Sequence, residues 1–429
     1  MLKYHFFLLL APVTMMVAPL DTYAASDDDL RAMREQIQLL EKRVQQTEQS
    51  NAAPGRSATA SENSFNPAIS LILSGTYGSL EKDPDVPITG FALAPNNHGY
   101  SRSFSLKESE LGISANIDPQ FRGVATIALA PAGSVSVENA YVQTSVLGQG
   151  FNLKMGRFFS GLGYLNELHA HAWDFIDQPL VYRTMWDNQT GEDGIQLKCL
   201  APTDTYVEIG AELGRGRGYP GTDRKDNNGA GSATAYAHLG DDIGSSNSWR
   251  AGVSVHQTRR IDATSEAFTV TNSFSGDSLT RGVDFIWKYA PDGNIQKNTI
   301  KFQAEYFQRR ENGLLTYDTK GTPVSDSYSV TRSGWYLQSV YQFMPHWRLG
   351  LRYDQLDAGY AAVGTALTNV PASYAYTPTR FSQMVDYSAS EFSRIRIQIA
   401  QDKSRAGLGD NQFFIQYVMS LGAHGAHQF

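Results

Sequence analysis

Arg348, Arg352, Arg394 and Arg396 recur at intervals of two and four residues within alternating stretches. On an extended chain, even spacing puts side chains on one face. Guanidinium groups suit carboxylate and phosphate, and four of them on neighbouring strands would form a local positive wall that concentrates anions. Arg122, Lys154, Lys198 and Lys301, with Arg250 and Lys288, fall on the same side of their own alternating runs. So do Glu108, Glu110, Glu208, Glu212, Asp284, Glu305, Asp354 and Asp386, so that modest anion preference and a row of internally paired charges both fit. A second set, Asp174, Asp177 and Arg183, lies in an aromatic-rich break from Arg157 to Asp193. A third is His169-Ala170-His171, near those two aspartates, and the tail pair His424 and His427. Imidazoles beside carboxylates suit Zn²⁺ or Cu²⁺. His169 and His171 share a face only on extended chain, His424 and His427 only on a helix. No spacing matches a dedicated metal motif, so structural histidines are the plainer reading, and no cofactor is expected unless these pairs hold Zn²⁺. His256 beside Ser254, and His238, have no evident triad partners, and no enzyme activity is expected.

Composition narrows the elements that carry these groups. The 429 residues hold 36 Lys and Arg against 43 Asp and Glu, a net charge of −7, which argues against nucleic acid as a partner. Mean hydropathy is −0.34, and no apolar run beyond residue 20 reaches the roughly 20 residues of a membrane helix. The single Cys199 excludes an intramolecular disulfide. Twenty-two Tyr, 21 Phe and 38 Gly with so little net hydrophobicity instead suit an outer-membrane barrel or a soluble β-rich protein.

Residues 1–24 have the form of a signal peptide: Lys3, an apolar stretch from Phe6 to Leu20, and small residues Thr22 and Ala24 before the cleavage point. Residues 26–48 carry Leu30, Met33, Ile37, Leu40 and Val44 at alternating spacings of three and four, a short heptad seam expected to self-associate as a coiled coil in the periplasm. Residues 49–66, rich in Ser, Ala and Asn, read as a flexible linker.

Residues 67–429 repeat one unit, about ten alternating residues and then a break. Short breaks, such as Asp118-Pro119 and Met344 to His346, alternate with long ones: Arg157–Asp193, Gly214–Gly231, Arg259–Ser278, Arg310–Arg332 and Ala358–Arg380. Short periplasmic turns and long outer loops mark a transmembrane barrel, and the count comes to about 16 antiparallel strands, an all-β fold. Ile300, Phe302, Ala304 and Tyr306 would face lipid while Lys301, Gln303 and Glu305 face inward; Trp347 and Tyr353 fit interfacial girdles. The Arg157–Asp193 break is too long for a simple connection. Its Phe158, Phe159, Tyr164, Trp173, Phe175, Tyr182 and Trp186 call for packing, against the inner wall or against a neighbouring subunit.

The chain resembles the phosphate-selective porins O and P and the DcaP-like trimeric porins with an N-terminal coiled coil. The likeness is closest at Gly156-Arg157-Phe158 and Gly161-Leu162-Gly163, where that family enters its inward-folded third loop. Phe159 and Ser160 stand where the family carries a Lys-Thr-Pro-like element. Asn166–Arg183 and Leu421–Phe429 are also similar to proteins labelled zinc-regulated TonB-dependent receptors, although residues 25–66 are too few for a plug. The resemblance implies a homotrimer, whereas Ile37 and Val44 with Leu40 alone favour a dimer. It also makes Asp174, Asp177 and Arg183 constriction residues. The expected function is a passive channel for small hydrophilic solutes in the Gram-negative outer membrane, in contact with its lipids. The alternative is a receptor or metal-linked uptake protein acting through its loops.

Overall fold

The computed structural model describes residues 67–422 except 84, 92–93, 95–99, 130–132, 145–146, 224–227, 268–269 and 296–297. The signal peptide, heptad helix and linker, with His424 and His427, lie outside the described residues.

Eighteen strand segments form one antiparallel sheet that closes on itself where β1 (Ala68–Leu80) pairs with β18 (Asp410–Gly422). β2 (Ser103–Leu106) and β3 (Ser109–Asn116) both pair with β1 and are one strand interrupted at Lys107-Glu108. β15 (Ala361–Val363) is a short addition beside β13 (Val324–Met344). Sixteen strands therefore make the wall, as the alternation implies, and an even-numbered closed ring leaves no exposed edge.

The burial pattern is inverted relative to a water-soluble protein. On β17 (Ser393–Lys403), Ile395, Ile397 and Ile399 are exposed while Arg396, Gln398 and Asp402 are buried. On β14 (Trp347–Asp357), Leu349, Leu351 and Tyr353 are exposed while Arg352 and Asp354 are buried. An apolar outside and a charged inside are stable only where the outer solvent is itself apolar, as in a bilayer. Among the described residues no helix is long and apolar enough to cross a membrane.

Two expected loops are wall. β10 (Asn247–Ala267) and β11 (Val270–Tyr289) pair through much of Arg259–Ser278, and β12 (Thr299–Tyr317) and β13 pair through much of Arg310–Arg332. These strands run 19 to 21 residues, about twice the 9–11 needed to cross. Polar residues there, such as Ser273 paired with Thr264, read as loop because a ladder standing in water needs no apolar face. Inside this taller wall Phe274, Leu315, Tyr328, Val330, Leu367 and Val370 form their own apolar cluster.

Candidate functional site

The segment between β6 (Phe151–Phe159) and β7 (Gly191–Leu200) enters the barrel. Buried backbone N–H and C=O groups need partners, and the wall supplies both polarities. Glu212 on β8 (Tyr206–Gly214) accepts the Gly161 N–H at 2.8 Å and the Ser160 hydroxyl at 2.6 Å. Glu305 on β12 accepts the N–H groups of Tyr164 (2.9 Å) and Leu165 (3.2 Å) and the hydroxyls of Tyr182 and Tyr336. Asp354 accepts the Leu180 N–H at the start of a short helix, Leu180–Trp186. In the other direction Arg250 donates to the Gly163 carbonyl, Arg396 to that of Trp173, Arg394 to that of His171 and Arg352 to that of Asp177. These partners lie on β8, β10, β12, β14 and β17, well separated around the ring, so the segment crosses the lumen.

Apolar packing completes the attachment. Leu180, Val181, Tyr182, Met185 and Trp186 are buried against Phe307, Tyr336 and Leu356 of the wall, with the Trp186 and Phe307 rings edge-to-face at 4.5 Å. Burying each such side chain contributes about 1.5–3 kcal/mol. The aromatic content of Arg157–Asp193 thus finds its surface within the same chain, against the inner wall.

All eight expected pore-lining cations take the inward side of their strands, and most already have partners. Arg348 meets Asp386 at 2.6 Å and Asp174 at 3.1 Å. Arg352 meets Asp177 at 2.8 Å and Asp354 at 3.1 Å. Arg396 lies near Asp386 and Gln416; Lys301 meets Asp174 at 2.8 Å and Lys198 meets Glu167 at 3.2 Å. Lys154 sits over the Tyr141 and Phe158 rings, and Arg122 donates to Ser114 near the wall's exposed end. The four-arginine wall exists, on strands separated only by β16 (Thr379–Ser390), but it grips the loop, and only Arg348 and Arg394 stay half-buried.

Asp174, Asp177 and Arg183 are correspondingly not bare constriction charges. They are 6 %, 6 % and 3 % exposed. Asp177 is held by Arg352, Arg380, Gln398 and the Tyr100 hydroxyl. Burial alone would raise its pKa, yet Arg380 and Arg352 keep it well below the usual carboxylate range. Arg183 stacks on Tyr100. Arg380 was invisible to alternation because it stands at the margin of a stretch read as loop, and Tyr100 because it lies outside any strand.

The histidine pair meets two glutamates in place of the neighbouring aspartates. His169 caps a single 3-10 turn, Ala170–Ala172, and His171 is its middle residue, their rings stacked at 5.8 Å. His169 Nδ1 lies 2.9 Å from Glu138 Oε2 and 3.1 Å from Glu110 Oε2, and His171 Nδ1 lies 2.9 Å from Glu110 Oε1. Burial disfavours the His169 imidazolium, but hydrogen bonds to Glu110 and Glu138 push its pKa up to about 10. Glu138 escaped the sequence reading because a register shift in β5 (Val135–Thr144) leaves it unpaired between Val137 and Asn139. His256 pairs with Thr234, and His238 with Glu208.

A closed sixteen-stranded ring with apolar exterior, charged lumen and an inward-folded segment has the fold of outer-membrane β-barrel proteins. The OmpT loop-L8 deletion mutant, an outer membrane protein of Vibrio cholerae, superposes with a TM-score of 0.51 at 13% identity, covering 83% of this chain and 99% of that one. In-vitro folded OmpT gives 0.50 at 13% identity, covering 83% and 97%. The outer membrane channel DcaP of Acinetobacter baumannii gives 0.49 at 12% identity, covering 83% and 97%. No family model matches the chain. An uncharacterized protein of Aquifex aeolicus (strain VF5) is 31% identical over 394 residues, which span 86% of this chain and 81% of that protein. The chain belongs to the same family as that protein.

Proposed function

We propose that the chain is an outer-membrane porin, a passive diffusion channel for small hydrophilic solutes with modest anion preference. One observation carries the reading: the half-buried charges on the inward side, which border the remaining open lumen, are mostly cationic. Lys154, Lys198, Lys288, Lys301, Arg348 and Arg394 belong to that half-buried group, against Glu108, Glu138, Glu167 and Glu208. Selectivity in such a pore follows lumen charge and the loop folded inside. No catalytic role is assigned. The likeness of the fold to DcaP is too distant to supply the solute.

The same reading places residues 1–24 as an export signal, residues 26–48 in the periplasm, and the exposed apolar belt in outer-membrane lipid. The heptad seam supports self-association, and packing of copies as a homotrimer is supported by a shallow outward groove of small and apolar residues, Ile113, Gly123, Ala125, Ala140 and Met155. Close approach of two barrels is easiest where side chains are small.

Planar bilayers test the function. Purified protein should give discrete conductance steps and a reversal potential on the anion side. Replacing Lys154, Lys288 and Lys301 by Gln should shift that potential toward cations, more at 0.1 M than at 1 M salt, where the Debye length falls from about 10 Å to 3 Å. Silence would overturn the porin reading in favour of a receptor acting through its loops.

A further inference from the structure

The geometry points to a divalent transition-metal site at Glu110, Glu138, His169 and His171, where the ion would rivet the inward-folded loop to the barrel wall. The donors come from three separate elements: Glu110 from β3, Glu138 from β5, and the two imidazoles from the loop. Ligand atoms of Glu110, Glu138 and His169 lie within 4.8 Å of one another. His169 Nδ1 stands 2.9 and 3.1 Å from its two carboxylate oxygens. A tetrahedral ion with bonds of about 2.0 Å places its ligands roughly 3.3 Å apart, so the two His169–carboxylate distances need to open by only a few tenths of an ångström, while His171, 2.9 Å from Glu110 but outside that three-residue set, would close in as the fourth ligand.

Three further features separate this cluster from an ordinary ion pair. A ring nitrogen carries at most one proton, so His169 Nδ1 satisfies one carboxylate by hydrogen bonding and leaves the other facing it; a cation at the centre satisfies both. The remaining nitrogen, Nε2, lies 2.9 Å from the Asn139 side-chain amide. The atom placed there is Nδ2, a donor; metal binding would go with a flip of that amide, so that its oxygen accepts from an Nε2–H and the Nδ1 lone pair is aimed at the glutamates, the orienting contact that ligating histidines need. Finally, Glu138 and Asn139 are consecutive yet both reach His169, which strict alternation forbids. The register shift at Glu138 turns it inward, and bulges commonly re-aim side chains at functional sites.

Two imidazoles with two carboxylates select Zn²⁺, Co²⁺, Ni²⁺ or Cu²⁺ over Mg²⁺ or Ca²⁺. The His169 side chain keeps 23 % of its surface exposed, so an ion in the lumen can reach it. Binding exchanges a proton, released to solvent, for the ion, whose two positive charges match the two carboxylates. The site is independent of conduction.

Co²⁺ is the probe, because tetrahedral Co²⁺ absorbs strongly in the visible and octahedral Co²⁺ hardly at all. Detergent-solubilised full chain should bind one Co²⁺ with a tetrahedral spectrum that Zn²⁺ abolishes. The spectrum should survive His424→Ala with His427→Ala. It should disappear in Glu138→Gln and in His169→Gln with His171→Gln, with affinity falling more than about 100-fold. Unchanged binding in those variants, loss of binding in the tail variant, or no binding overturns the site. Should the loop variants fail to fold, the Zn²⁺ K-edge spectrum of the tail variant decides alone: a mixed imidazole and carboxylate shell supports the site, an all-oxygen or thiolate shell overturns it.

Discussion

Asp177→Asn removes the charge that two wall arginines share. In the docked loop its carboxylate faces Arg352 and Arg380, which are each 1 % exposed. Asparagine keeps the shape and one acceptor but leaves both guanidinium groups short of counter-charge, while undocking would let water reach them. Breaking a buried pair by removing one partner costs about 3–5 kcal/mol. At about 1.4 kcal/mol per factor of ten, that raises the undocked population of the loop by roughly 150- to 5,000-fold. Trypsin reads that population, because Arg183 is the only Lys or Arg between Arg157 and Lys198, and in the docked helix it is 3 % exposed. Cleavage tracks the open fraction when opening and reclosing outpace the protease. The Arg183–Thr184 bond should therefore be cut faster by that factor, with the barrel's strand signal in far-UV circular dichroism unchanged. A cutting rate equal to wild type would refute the reasoning, since the loop would then be held by its apolar face alone.

Gly163 has φ +65°, and a Cβ there would collide with the Glu305 carboxylate and the Tyr182 hydroxyl; Gly163→Ala should speed cleavage at Arg183, but less than Asp177→Asn does, because strain of about 1–3 kcal/mol is at stake. Arg394→Gln with Arg396→Gln removes donors to the His171 and Trp173 carbonyls, so it should raise conductance noise and loop cleavage while shifting the anion-to-cation ratio less than the lysine replacements do. Asp174 and Asp177 are held below the usual carboxylate range, Asp174 by Lys301 and Arg348 against the effect of burial. Their contribution is complete above the ordinary carboxylate pKa and is lost only as pH falls through the depressed values, so the carboxyl carbon NMR shifts of these two residues should be the same at pH 4 as at pH 7. Deleting residues 26–48 should leave a barrel that inserts but a weaker oligomer, read as mass in mild detergent; failure to insert would make the heptad segment part of the barrel's fold.

The sequence by itself determined the barrel. Alternation is a local property with a period of two, so Ile395, Arg396 and Ile397 declare opposite faces without reference to the rest of the chain, and sixteen such runs with unequal breaks imply closure. The aromatic residues from Phe158 to Trp186 likewise announced that a long break must be packed. What only the tertiary structure decided is which charges meet. Arg352 and Asp177 are 175 residues apart, and Glu305 is 141 from Tyr164; their pairing depends on the ring closing and the loop crossing it. An inward arginine looks the same in sequence whether it faces solute or a loop carbonyl. Glu138 shows the other limit: one unpaired residue in β5 reverses the parity on which the inward list was built, and no local pattern reports a bulge. The long polar strands around Arg259–Ser278 and Arg310–Arg332 were hidden for a related reason, since alternation marks a strand only where its two faces meet different solvents.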